Sequence, residues 1–149
     1  MNIRKFEEKD HSDILELAKR FNNIYYMSFR DESLMCKKQE ELAVQAVNNN
    51  KENIYIAEES GDFLGYIELN IQEDFFTNRK QAYVSAIAVT EKGEGKGIGK
   101  VLMKKAEEWA VNQELSEVIL DVFLSNKRAI GLYEHLGYQQ EIVKMVKKL

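Results

Sequence analysis

The chain has 149 residues, 44% hydrophobic and 31% charged, with a formal net charge of −4. That length suits one domain, residues 1–149, with enough chain for a real core. The acidic balance gives no electrostatic footing to nucleic acid or to an anionic membrane. The single cysteine, Cys36, excludes an intrachain disulfide and fits a reducing compartment. The first ten residues lack the apolar centre of a signal peptide, and no apolar run has the length of a membrane span. A cytoplasmic location is therefore expected. His11 and His135 lie far apart with no cysteine cluster, so no metal site is expected.

Residues 2–6 read as a short strand. Asp10 is placed to cap a helix whose Ile14, Leu17, Ala18 and Phe21 share one face. An aromatic group follows: Phe21, Tyr25, Tyr26 and Phe29. Phe21 is assigned to helix packing. Tyr25, Tyr26 and Phe29 are left open between packing and the wall of an acceptor pocket. A charged turn, 30–33, leads into a second helix over about 34–47, ended by three asparagines. Residues 53–58 and 63–71 flank the turn Ser60-Gly61-Asp62 and form a hairpin. In its second strand Ile67, Leu69 and Ile71 share one face, and Tyr66, Glu68 and Asn70 the other.

Residues 74–81 form a polar loop carrying Phe75 and Phe76. Residues 82–89 are apolar, short and partly β-branched, which suits a buried strand. A glycine-dense turn follows. Ile98, Leu102, Ala106 and Trp109 then recur at helical spacing in a helix ending near Asn112. A strand over 118–124, a helix over 125–136 and a closing strand over 138–147 complete the chain. The order is β-α-α-β-β-β-α-β-α-β. The hairpin must be antiparallel, and the strand–helix–strand unit over 82–124 must be a right-handed parallel crossover. A mixed α/β sheet with helices on both faces follows. Its ligand is expected at the carboxyl end of the parallel strands, where the glycine turn sits.

The turn holds Gly93, Gly95, Gly97 and Gly99. Glycine lets the backbone take positive φ and lets a ligand approach bare N–H groups. A helix N-terminus adds unpaired donors and partial positive charge, so the turn is a natural phosphate cradle. The dinucleotide pattern G-x-G-x-x-G fails at Ile98 or Lys100. The pattern G-x-x-x-x-G-K-[ST] fails at Glu94 and Val101.

The run Gly95-Lys96-Gly97-Ile98-Gly99 resembles the pyrophosphate loop of the GNAT superfamily of acyl-CoA-dependent N-acyltransferases. Downstream, Leu120-Asp121-Val122 is followed by Asn126, Ala129, Leu132-Tyr133-Glu134 and Gly137-Tyr138. This is similar to the superfamily's closing motif. Ile3-Arg4, then Asp10 and an amphipathic helix, resembles its opening, so the resemblance covers essentially the whole chain. It implies a GNAT-type fold: a mixed, mostly antiparallel central sheet with helices on both faces and a splayed parallel strand pair. It also implies an N-acetyltransferase that uses acetyl-CoA as co-substrate without a metal. The acceptor would be a small-molecule or peptide amine, attacking directly in a ternary complex, and a homodimer is compatible with such a fold.

The resemblance assigns roles by position. The amides of Gly95, Lys96, Gly97, Ile98, Gly99 and Lys100 would hold the pyrophosphate. Backbone groups of Ile87, Ala88 and Val89 would align the pantetheine arm, and an N–H near Ile87 would face the oxyanion. Asn126 would contact the pantetheine, or serve only as a helix cap. Tyr133 would protonate the leaving thiolate, or serve only as a packed ring. Two departures stand out. Glu94 occupies a place where relatives usually carry Gln or Arg, and its charge opposes phosphate binding unless Lys92, Lys96 and Lys100 offset it. No carboxylate lies at 81–85, where some relatives place a general base.

An amine acceptor arrives as an ammonium, with a reference pKa near 10.4, and must lose a proton before attack. Glu68 lies opposite the Ile67, Leu69 and Ile71 face. It is the candidate to attract the cation and take its proton, against the plain reading of a solvated carboxylate. Asp31 and Glu32 would add negative potential at the mouth. The expected acceptor is a small cationic amine. The alternative is a non-catalytic acyl-CoA-binding sensor or interaction module of the same fold.

Overall fold

A computed structural model describes residues 1–20 and 30–149. Phe21, Tyr25, Tyr26 and Phe29 lie outside the described residues. Five strands form one sheet in the order β1 (Asn2–Lys5), β2 (Ile54–Glu59), β3 (Asp62–Glu73), β4 (Lys80–Val89) and β5 (Val118–Ile119). The first three joints are antiparallel and the β4–β5 joint is parallel. Four helices complete the described fold: α1 (His11–Ala18), α2 (Glu32–Asn49), α3 (Ile98–Asn112) and α4 (Lys127–His135).

The alternation along β2 and β3 makes two cores. Tyr55, Ala57, Ile67 and Leu69 face α3, where Ile98, Leu102, Met103, Ala106 and Trp109 close over them. Ile54, Ile56 and Tyr66 face the other way, onto Ile14 and Leu17 of α1 and Ala46 and Val47 of α2. The strands are therefore wet on neither face near their centres, and helices cover both sides as the pattern predicts. Each large apolar side chain so buried stabilises the fold by about 1.5–3 kcal/mol relative to exposure.

Asp10 departs from its expected role. It sits before α1, but its carboxylate does not cap that helix. It accepts two hydrogen bonds from Arg4, at 2.7 and 2.9 Å, and one from the Glu7 N–H at 2.8 Å. Burial pushes the Asp10 carboxyl up, yet these hydrogen bonds outweigh it and leave it below the usual carboxylate range. The side chain ties β1 to the entry of α1 because a guanidinium fork offers stronger hydrogen bonds than a helix amide.

Two further expectations are corrected. β5 is only Val118–Ile119, not a strand over 118–124. Residues 138–149 form no strand. Ile142, Val143, Met145, Val146 and Leu149 stand exposed there. A β-branched run needs a strand edge to pair with and a face to pack on. The two-residue β5 offers little of the first, and the chain beyond it turns away toward α4.

Candidate donor and acceptor site

The site grows from a parting of strands. β4 pairs with β5 only at Ala82–Val118 and Tyr83–Ile119. Beyond that point β4 continues to Val89 while the other chain leads to α4. The outer edge of β4 from Val84 onward has no strand partner among the described residues, so the N–H and C=O groups of alternate residues face a gap. Ile87, Ala88 and Val89 lie on this edge, held from the other side by Ile67, Tyr66 and Gly65 of β3. Glu68 pairs with Ala86 and Leu69 with Val84, so Ser85 is the extra residue of a bulge. A bulge bends and twists its strand, which turns the end of β4 into the gap.

The glycine turn caps that gap. Thr90 Oγ1 accepts from the Gly93 N–H at 3.1 Å, and the Lys96 N–H donates to the Gly93 carbonyl at 3.3 Å. Gly95 and Gly97 both sit at φ 74°, a left-handed backbone that costs other L-residues about 1–2 kcal/mol. A Cβ at either would meet nothing within 4 Å. Space for an approaching group is thus open at both. Gly97 precedes α3, whose first-turn amides at Ile98, Gly99 and Lys100 lack partners one turn back. The Ile98 side chain is buried in the core and anchors the turn. A Cβ on Gly99 would lie 3.1 Å from Leu132 Cδ2, so α4 packs directly beside the turn.

Glu94 is neutralised, but not by the expected lysines. Lys92 pairs with Asp62, and Lys96 with Glu59 at 3.1 Å, both on the outer hairpin. Arg20, just past α1, donates to Glu94 Oε1 at 2.5 Å. Arg128 of α4 stands 3.9 Å from the same oxygen. The hydrogen bond from Arg20 holds the Glu94 carboxyl below its usual range. Arg20 also donates to the Val89 carbonyl at the end of β4.

A cavity of about 530 Å³ opens between α2, the bulge of β4 and the start of α4. That volume is in the range of small-ligand pockets. Tyr133, Asn126, Ile87 and Glu68 all line it. Tyr133 packs edge-on against Tyr138 with ring centroids 6.2 Å apart. Its hydroxyl makes no hydrogen bond among the described residues, and burial pushes the phenol up. Asn126 is the cap of α4: its Oδ1 accepts from the Ala129 N–H at 3.3 Å.

Glu68 is half-buried on the α2 side of the sheet, with Asn50 Nδ2 donating to its Oε2 at 2.9 Å. Asp121, across the cavity, accepts from the Tyr83 hydroxyl at 2.9 Å. Burial first, then that carboxylate, pushes the Tyr83 phenol up to about 12. Asp31 and Glu32 do not line the cavity, and Asp31 instead caps α2 through the Leu34 N–H. Phe76 is also outside it, exposed and stacked edge-on with Phe75.

Asn50, Asp121 and Arg20 carry no local sequence signal that marks them as site residues. Asn50 read only as a helix terminator, although an amide at a helix end next to a strand is free to reach across. Asp121 was visible inside the closing motif, but nothing local pointed its carboxylate at Tyr83. Arg20 and Glu94 are 74 residues apart, and no spacing rule links them.

The family model for the acetyltransferase (GNAT) family matches residues 14–138. The chain is 26% identical over 141 residues to the uncharacterized N-acetyltransferase YhfO of Bacillus subtilis, covering 95% of this chain and 91% of that protein. A 62-residue stretch is 39% identical to N-alpha-acetyltransferase 30 of Xenopus laevis; it covers 42% of this chain and 23% of that longer protein. Among solved structures, a Pyrococcus furiosus protein named as an acetyl transferase aligns over 99% of both chains with TM-score 0.79 and 26% identity. The five-stranded sheet with its one parallel joint, the splayed gap and the glycine turn agree with these matches, and the chain belongs to the acetyltransferase (GNAT) family of acyl-CoA-dependent enzymes.

Proposed function

We propose that this chain transfers the acetyl group of acetyl-CoA to the primary amine of a small cationic acceptor, by direct attack in a ternary complex. The observation that carries the acceptor is the charge of the cavity. Among the described residues that line it, the only ionisable carboxylates are Glu68 and Asp121, and no lysine or arginine is present. Gln39, Gln45, Asn49, Asn50 and Asn70 supply neutral polar groups around them. Arg30 lies outside this lining, 5.3 Å over the Phe123 ring, and the two carboxylates inside it favour an ammonium over an anionic acceptor.

The residues divide the chemistry between them. Loop amides from Gly95 to Lys100 hold the pyrophosphate, and the open edge of β4 at Ile87 to Val89 aligns the pantetheine arm as an added strand. Glu68 takes the ammonium proton, directly or through a water. The freed amine nitrogen then bonds to the thioester carbon, and an N–H near Ile87 stabilises the oxyanion. The carbon–sulfur bond breaks, Tyr133 gives its proton to the departing thiolate, and the second proton leaving the acylated nitrogen restores the phenol, directly or through water. The Asn126 amide nitrogen, opposite its capping oxygen, donates to the arm.

Glu68→Gln in a pH–rate series tests the acceptor half of this reading. Turnover is expected to fall near neutral pH and to recover in part as pH rises, because the amine then deprotonates without help. An unchanged profile would remove Glu68 as the base.

A further inference from the structure

The glycine turn is built for an anion, yet one already stands in it. Glu94 lies between Gly93 and Gly95, and two guanidinium groups converge on a single one of its oxygens. Arg20 comes from the end of α1 at 2.5 Å and Arg128 from the first turn of α4 at 3.9 Å. The loop's own Lys92 and Lys96 are turned outward to Asp62 and Glu59. Arg20 bridges further, to the carbonyl of Val89, where the open edge of β4 ends.

We infer that Glu94 is a stand-in for the donor's pyrophosphate, and that Arg20 and Arg128 exchange it for those phosphates when acetyl-CoA binds. This rests on the acetyl-CoA reading above. The exchange is favourable in each part. The Arg20 and Glu94 side chains are 30% and 42% exposed, and exposed ion pairs are cheap to break. A diphosphate offers more oxygens than one carboxylate and matches the guanidinium fork in two-pronged geometry. Beyond their sequence neighbours, nothing lies within 4 Å of where a Cβ on the φ 74° glycines would be, so the phosphates have room to approach once Glu94 is displaced. Once released, Glu94 is a like charge beside the bound ligand, so it sets an upper limit on donor affinity. It also keeps Arg20 seated in the turn before the donor arrives.

A latch that only braces the turn makes a different prediction. Removing either end of a brace loosens the loop, so both changes weaken binding. A competitor and its prize have opposite signs. The experiment is calorimetric titration of CoA and of dephospho-CoA, which lacks the 3′-phosphate, into wild type, Glu94→Gln, Arg20→Gln, Arg20→Lys and Arg128→Gln. Melting temperatures check the fold of each. Glu94→Gln is expected to tighten both ligands severalfold. Arg20→Gln is expected to weaken both about tenfold, the lower range for hydrogen bonds to a charged group, with Arg20→Lys between it and wild type. Arg128→Gln shifts in the same direction by less, given its greater distance. Weakening by Glu94→Gln would overturn the exchange and leave a brace. A loss in Arg20→Gln seen with CoA but absent with dephospho-CoA would assign Arg20 to the 3′-phosphate and overturn the pyrophosphate assignment. Wild type that binds neither ligand would overturn the acetyl-CoA reading itself, and the inference with it.

Discussion

Replacing Tyr133 with Phe is expected to lower kcat by about 10²–10⁴-fold, the usual contribution of a positioned general acid. The affinity for CoA should stay close to wild type. Phe keeps the edge-on packing against Tyr138 and removes only a hydroxyl that has no hydrogen-bond partner among the described residues. Burial pushes that phenol above its ordinary value, so it stays protonated across neutral pH and remains an acid at the working pH. Steady-state kinetics with a turned-over amine, paired with CoA titration, separates the two effects. A kcat equal to wild type would reduce Tyr133 to a packed ring and hand the proton to a water.

The second large effect falls on Gly97. Gly97→Leu should abolish detectable CoA binding, a loss of roughly 100-fold or more, since several hydrogen bonds to charged phosphate are each worth about 1.5–3 kcal/mol. The variant should still fold. Its Cβ meets nothing within 4 Å, and the φ 74° backbone costs only about 1–2 kcal/mol when a side chain is added. The leucine side chain instead occupies the space through which the pyrophosphate approaches the turn. Calorimetry with circular dichroism decides it. A folded variant with unchanged CoA affinity would contradict the role of the loop.

Those two residues were readable because each sits in a local pattern with a mechanism. Gly97 precedes an amphipathic helix and follows a buried strand. Tyr133 stands seven residues past an asparagine that begins a helix. The same logic located β3 and its two faces, since alternation alone assigns Glu68 to the side opposite Ile67 and Leu69. Long-range polar contacts were not readable. Lys92, Lys96 and Lys100 are the cations nearest Glu94 in sequence, but Lys92 and Lys96 reach the hairpin of β2 and β3, and Arg20 comes from the far end of α1. Asp10 looked like a helix cap because caps are local, and it was drawn away by Arg4 on a neighbouring strand. The tail from Tyr138 reads as a closing strand over 138–147, and the structure has none there. Whether such a run becomes a strand depends on a free edge to pair with, which composition does not report.

The most direct measurement is release of free CoA from acetyl-CoA by the purified chain against a panel of cationic, neutral and anionic primary amines. Acceptor-dependent release of one CoA per amine acetylated is expected, with cationic amines preferred and anionic ones poor. Binding of acetyl-CoA with no release for any amine, or a clear preference for anionic acceptors, would contradict it.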